Sequence, residues 1–459
     1  MAGMVVKNNM SAINTLNVLS RNAGELTKSL RKVSSGMRIN SAGDDSSGYA
    51  IGERMAVQMR SLDQDNRNTQ NGNSMLKVAE GAVANTVEII TTLKEKVLNA
   101  ANDTNTDDDR AQIQKELDQM VDQIDDNANV TYNGMYMIDG SKNNIVNETS
   151  THLTNSSFAE TYTTTVMGVE VTLPVTATTP LLKLNDYTGR SLGIHEGDTI
   201  TISWVKEGIT NICSYPVRSN TNLSDLFAGV GGTDITKDAS TKIAQDFTTA
   251  VVSNCIGKDS FGNDVYTPDY RQAITFPAFS SGVDGQISGL TICVTDKDGN
   301  INKSANTILD NFEETIRAEN ATPDNSIVLQ TGTKANQAIK IPMSDMRAVS
   351  LGLKATDGTT LNISTQKFAN AAVNVLDMAL QKCLNQQTRI GAVESRLDYT
   401  SANLTTASEN TQSSMSTIQD ADMAAEMTAY TKNNVLLQAA QSMLAQANQN
   451  SSSVLSLLQ

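Results

Sequence analysis

Apolar residues between positions 16 and 33 fall at Leu16, Leu19, Ala23, Leu26, Leu30 and Val33, in alternating steps of three and four. That spacing predicts a helix with a coiled-coil seam. Gly36, following Ser34 and Ser35, suits the left-handed residue that ends a helix, and the polar stretch to Asp45 reads as a connector. A second helix is expected from about Asp44 or Ser46, where either side chain can cap free amides. Its apolar positions are Ile51, Met55, Met59, Leu62, Leu76, Ala79, Val83, Val87, Ile90 and Val97, with no proline among them. At ~1.5 Å per residue, a helix continuing to position 100 is a rod of about 80 Å. The polar run NDTNTDDD at 102–109 breaks it, and Ile113, Leu117, Met120 and Ile124 mark a third, antiparallel helix. A β-hairpin is expected at 130–138, centred on Asn133-Gly134, a dipeptide that accepts the positive φ of a tight turn.

The patterning changes after about Gly140. Residues 141–326 are rich in Thr, Val, Gly and Asp, with alternating segments such as 199–205 and turn signals such as 296–299. They predict a mostly β insert with one short helix around 305–317. Helical periodicity returns near Thr365 and runs through Val373, Leu376, Leu380, Cys383, Ile390, Val393, Leu397, Leu404, Ala407, Met415 and Ile418. A last amphipathic stretch carries Met423, Met427, Tyr430, Val435, Leu437, Met443, Leu444 and Ala447 and ends in VLSLL at 454–458. The expected fold class is therefore α + β and multidomain. Long antiparallel N- and C-terminal helices form a coiled-coil or bundle rod, and a mostly β outer domain is inserted between them.

A long helix with one apolar seam must bury it, and the two ends of the chain are natural partners. The last 40 or so residues at each end differ from the rest. They supply only two helices, too few for a self-sufficient core, and the apolar C-terminal tip has no obvious partner in its own chain. Part of their packing energy must come from other copies. An ordinary helical bundle is the plain alternative on periodicity alone. A membrane-lying helix is disfavoured, because such helices carry a basic polar face and no Lys or Arg follows Lys432.

Composition narrows the picture further. Of the 459 residues 39% are hydrophobic but only 4% aromatic, so the core must be built largely from aliphatic residues and Met, as in packed helices. A net charge of −15 argues against binding a phosphate backbone, so nucleic acid is not an expected partner. The first twenty residues lack the apolar run of a cleavable signal peptide, and no stretch reaches a membrane-spanning length. A soluble protein is expected, one that does not leave the cell by the general secretory route. The four cysteines, Cys213, Cys255, Cys293 and Cys383, are scattered without CxxC pairing, which favours buried free thiols over zinc or disulfides.

Catalytic signatures do not emerge. A zinc peptidase would need two histidines one helical turn apart, whereas the chain holds only His152 and His195; His195-Glu196 is followed by Gly197, Asp198 and Thr199. No GxSxG or phosphate-cradling glycine loop is present, so no catalytic residue, cofactor or metal is expected.

The segment SSGMRINSAGDDSSGYAIGERM at 34–55 resembles the N-terminal signature of bacterial flagellins, and VLLQAAQSMLAQANQNSSSVLSLLQ at 435–459 is similar to their C-terminus. Between them LKEKVLNAANDTNT at 93–106, YNGMYMIDG at 132–140, IGAVESRL at 390–397 and IQDADMAAEM at 418–427 resemble further blocks of that family in the same order. The likeness covers about 1–140 and 327–459 and leaves out the insert, which in this family is hypervariable and faces outward.

The resemblance implies a secreted subunit, exported unfolded, that polymerises into the extracellular filament of the bacterial flagellum used for swimming. Its terminal segments would be disordered in the monomer. The implied division is 1–44 with 419–459 as inner filament core, 45–140 with 327–418 as the rod and outer core, and 141–326 as the exposed insert. The inner tube would be lined by Leu16, Leu19, Leu26, Leu30, Met443, Leu444, Val454, Leu455, Leu457 and Leu458, and the rod held by Ile51, Met55, Leu62, Ile390 and Leu397. Implied partners are further copies of the chain, a flagellar export chaperone and a cap protein. A patch recognised by the flagellin-sensing Toll-like receptor of animals would include Leu93, Glu95 and Glu116. Thr92 stands where strongly activating members carry an arginine, and a Thr makes fewer directional bonds, which implies weakened recognition. A hook–filament junction protein of the same family, and an insert with enzymatic or adhesive activity, are the alternatives.

Overall fold

The computed structural model describes residues 9–166, 169–227, 233–234 and 239–457. Nine helices and sixteen strands lie among them. The helices are α1 (Met10–Ser35), α2 (Ser46–Ala100), α3 (Asp107–Ala128), α4 (Leu223–Phe227), α5 (Ala239–Asp246), α6 (Lys303–Leu309), α7 (Ala348–Leu351), α8 (Gln366–Gln419) and α9 (Met423–Leu457). By contact the chain divides into two compact units, each built from more than one segment of the sequence. The first comprises 1–70, 330–338 and 398–459; the second comprises 71–329 and 339–397.

In the first unit α1 and α9 lie antiparallel, since Asn9 bonds the carbonyl of Ala447 while Lys32 pairs with Glu426. α1 stops where expected: Gly36 takes φ 72° and returns its N–H to the Lys32 carbonyl, a geometry that strains any residue with a Cβ. Asp45 then caps α2 by accepting from the N–H groups of Ser47 and Gly48. Asp422 does the same for α9 through Ala424 and Ala425. The two connectors pair with each other, the Arg38 N–H donating to Gln419 and that of Ala421 to Gly36.

The second unit contains the long-helix core. α2, α3 and α8 meet along Leu76, Val83, Ile90, Leu93, Val97, Leu117, Ile124, Leu376, Ile390 and Leu397, all buried. Thr106 and Asp109 form a reciprocal capping box at the start of α3, which satisfies two amides that a helix start would otherwise leave free. The hairpin β1 (Thr131–Tyr132) and β2 (Met135–Tyr136) turns on Asn133 at φ 50° and Gly134 at φ 77°.

The insert is mostly antiparallel sheet, as its alternation indicates. Its strands begin with β3 (His152–Asn155), β4 (Thr161–Val166), β5 (Val169–Pro174), β6 (Thr199–Lys206), β7 (Ile209–Pro216) and β8 (Thr233–Asp234). They continue with β9 (Val251–Ser253), β10 (Cys255–Lys258), β11 (Asp264–Tyr266), β12 (Ala273–Pro277), β13 (Ile287–Thr295) and β14 (Glu313–Ile316); β15 (Ile327–Gln330) and β16 (Ala338–Ile341) lie beyond the insert. Two four-stranded sheets run in the orders β14-β3-β12-β9 and β13-β6-β7-β8; β4-β5, β10-β11 and β15-β16 are hairpins. Their shared core centres on Trp204, whose indole N–H is held by Asp246 at 2.9 Å, and on Phe227 stacked on Phe276.

Two expectations are corrected here. The helix expected at 305–317 is the shorter α6, because Asp310 ends it and the β-forming stretch at 313–316 pairs with β3 instead. Of the four free cysteines, Cys213 and Cys383 are buried as expected, but Cys255 and Cys293 are only half-buried. Burial pushes the Cys383 thiol up to about 12, so it packs as a neutral apolar group.

Candidate assembly interface

The first unit contrasts with the second in what it leaves uncovered. Along all of α1 the one fully buried residue is a serine, Ser29, and along the described side chains of α9 it is Ala440. The seam between them is formed on one side by half-buried Leu19, Asn22, Leu26 and Val33, and on the other by Tyr430, Asn433, Leu437, Leu444 and Ala447. It is partly polar: Asn22 donates to the Leu436 carbonyl at 3.4 Å, Asn433 to Ser29 at 3.3 Å, and Lys32 pairs with Glu426 at 3.1 Å. Such bonds define the register of the pair but add little net stability at a solvated position.

Leu16, Leu30 and Met443 stand outside this seam, 53%, 51% and 63% exposed. Met10, Ile13, Val18, Val435 and Leu436 are also exposed on the same two helices. Scattered exposed apolar residues are ordinary, whereas these run along a helix pair with almost no buried core. The residues predicted for assembly thus fall into two groups. Leu19, Leu26 and Leu444 serve the pair within the chain, whereas Leu16, Leu30 and Met443 face away from it. The side chains of Val454, Leu455 and Leu457, and Leu458 as a whole, lie outside the described residues.

Among the predicted rod residues, Leu62, Ile390 and Leu397 are buried, while Ile51 and Met55 are only half-buried. Sequence reading missed Gly52. An added Cβ there would come within 2.0 Å of the Gln419 side-chain amide, so a larger residue displaces the Gln419 side chain at the end of α8. A buried glycine inside a helix carries that signal.

The candidate receptor patch needs one correction. Leu93 has no exposed surface and belongs to the helical core, so it cannot itself be touched from outside. Glu95 is exposed, and Glu116 is exposed but paired with Lys96 at 3.0 Å. The Thr92 hydroxyl donates to the Glu88 carbonyl of its own helix at 3.1 Å.

Among the described residues no group of three or more His, Cys, Asp and Glu could hold a metal ion, and no helix is long and apolar enough to cross a membrane.

A model of the bacterial flagellin N-terminal helical region matches residues 6–143, and one of the C-terminal helical region matches 373–458. Relatives match nearly end to end. A flagellin of Clostridium tyrobutyricum is 30% identical over 454 residues, covering 97% of this chain and 99% of its own length. A flagellin of Bacillus subtilis is 26% identical over 478 residues, covering 99% and 100%. The flagellar junction protein of Legionella pneumophila is a distant structural neighbour, 13% identical with a TM-score of 0.32, covering 80% of this chain and 99% of its own. The chain belongs to the bacterial flagellin family. It is a structural subunit of a flagellar filament, the extracellular part of the swimming apparatus.

Proposed function

We propose that the chain polymerises through the uncovered flank of the α1–α9 pair, with Leu16, Leu30 and Met443 entering contacts with neighbouring copies and the tip residues Val454, Leu455, Leu457 and Leu458 joining them. The observation that carries this reading is the near absence of a core under α1 and α9 beside their exposed large apolar side chains. A helix pair of this kind is marginal alone and gains its stability from what packs on it. The segments 1–44 and 419–459 then form the inner layer of the filament, 45–140 and 327–418 the rod around it, and 141–326 the outer decoration. Within the rod, Ile51 and Met55 complete their burial against neighbours, and Leu62, Ile390 and Leu397 hold it from inside.

The weak intramolecular seam also suits export of an unfolded chain, with a dedicated chaperone holding the apolar ends and a cap protein guiding their insertion. Recognition by the animal flagellin receptor is weak on this reading. Glu95 and Glu116 are accessible, but Thr92 offers a hydroxyl already used by its own helix. We read the chain as non-catalytic, in keeping with a structural family.

Seeded polymerisation followed by electron microscopy tests the proposal. The full chain extends filament seeds, and a chain lacking the last 20 residues remains a folded, soluble monomer. Native filaments from the truncated chain would overturn it.

A further inference from the structure

The second unit contains a cleft of about 200 Å³ between α8 and the β14 region, and the groups lining it do not satisfy one another. At its floor Lys382 and Glu314 form an ion pair, Nζ to Oε2 at 3.0 Å, with both side chains 6% exposed. The other oxygen, Glu314 Oε1, accepts no hydrogen bond, and neither does Gln386 Oε1. On the donor side, Lys382 Nζ and Arg317 Nε are buried without a well-formed hydrogen bond; Glu319 lies 4.0 Å from the latter. Arg389 stands exposed at the mouth, and its bond to Ser344 Oγ is a long one at 3.4 Å. Burial holds the Lys382 ammonium below its ordinary range despite the Glu314 carboxylate, and Arg317 adds repulsion. Three cations, Arg317, Lys382 and Arg389, and two carboxylates, Glu314 and Glu319, line the cleft, and Arg317 Nη2 is bonded outside it to the Asp345 carbonyl and Ser350.

A buried group without a partner carries its full desolvation cost, and native proteins rarely leave donors and acceptors unmet together in one cavity. The missing complement has one negative charge and also hydroxyl donors. We propose that this cleft binds a small hydroxylated monoanion, a hydroxycarboxylate or dihydrogen phosphate. Its anionic oxygens take donors from Arg389 and Lys382, and its hydroxyls donate to Glu314 Oε1 and Gln386 Oε1. At about 30 Å³ per water, the volume holds such a molecule with some of its hydration. The site is distinct from the α1 and α9 surfaces and does not rest on the assembly reading.

Titration calorimetry of the full-length monomer tests it, with sodium glycerate, sodium propionate and inorganic phosphate near pH 6 compared at equal ionic strength. Glycerate or phosphate saturates a single site, and whichever binds more tightly identifies the source. Propionate, which lacks the hydroxyls, binds at least about tenfold more weakly than glycerate, the loss expected for unmet acceptors. Arg389→Gln, at the exposed mouth, weakens binding of the preferred anion by a similar factor, and Gln386→Met, which removes an acceptor without changing the charge of the cleft, reduces the preference for glycerate over propionate. Thermal melts of both variants establish that they fold. The proposal fails if neither glycerate nor phosphate gives a saturable signal, if propionate matches glycerate in the unaltered chain, or if folded Arg389→Gln binds as well as the parent.

Discussion

Leu16→Ser separates assembly from folding. Leu16 is 53% exposed in the subunit, so its side chain adds little to the fold. Complete burial of a leucine contributes roughly 1.5–3 kcal/mol, and the share still exposed here leaves about 0.8–1.6 kcal/mol to be gained on contact with a neighbour. Since about 1.4 kcal/mol is a factor of ten in an equilibrium constant, losing that gain raises the critical concentration for polymerisation about four- to fifteen-fold. The serine hydroxyl, if enclosed without a partner, would raise it further. In the monomer α1 is marginal and opens without the core unfolding, so the same substitution changes the stability read by urea by no more than about 0.5 kcal/mol. Pelleting across a concentration series gives the critical concentration, and urea denaturation of the monomer gives the folding term. The reasoning is refuted if the critical concentration is unchanged, or if monomer stability falls by as much as filament stability.

Three further perturbations test the fold beneath that surface. Leu76→Ala removes a side chain with no exposed surface from the helical core and should lower unfolding stability by about 2–5 kcal/mol in urea titration. Gly36→Ala adds a Cβ that meets no atom within 4 Å, so its penalty is conformational, about 1–2 kcal/mol, and should appear as fraying at the end of α1 in circular dichroism. Burial raises the Asp310 carboxyl to about 6, against the opposing pull of the Ile292 N–H and the Asn374 amide. A carboxyl raised on folding favours the native state while protonated, so stability falls as pH rises from about 4 through about 6, by up to about 3 kcal/mol. Asp310→Asn should flatten that stretch of the stability-versus-pH curve, and an unchanged slope would mean the group is better solvated than its burial implies.

The helical parts of this fold were legible because their determinants are local. The stop at Gly36, the break after Ala100, the Asn133-Gly134 turn and the core seam from Leu76 to Val97 all follow from residues within a few turns of one another. The insert was legible only as β-rich. Its sheet order depends on pairs such as Phe276 with Leu153, more than a hundred positions apart, which no local pattern records. The same cause hid strand β14: residues 313–316 continue a helical-looking stretch, and only the partner strand β3 decides their conformation. In the assembly surface, periodicity identified the apolar residues but not which would face α9, since Leu26 and Leu30 stand one helical turn apart and only the first is half-buried. The Lys382–Glu314 pair joins positions that the sequence gives no reason to connect.

Hydrogen exchange along α1 and α9, compared between monomer and filament, tests the central claim most directly. If neighbouring copies supply the packing that these helices lack, their amides exchange within a small factor of the unfolded rate in the monomer, while the core amides around Leu76 and Ile90 stay protected. On polymerisation the α1 and α9 amides become protected by orders of magnitude. Equal protection of both helices in monomer and filament would show that the pair is stable by itself, and assembly through its uncovered flank would be contradicted.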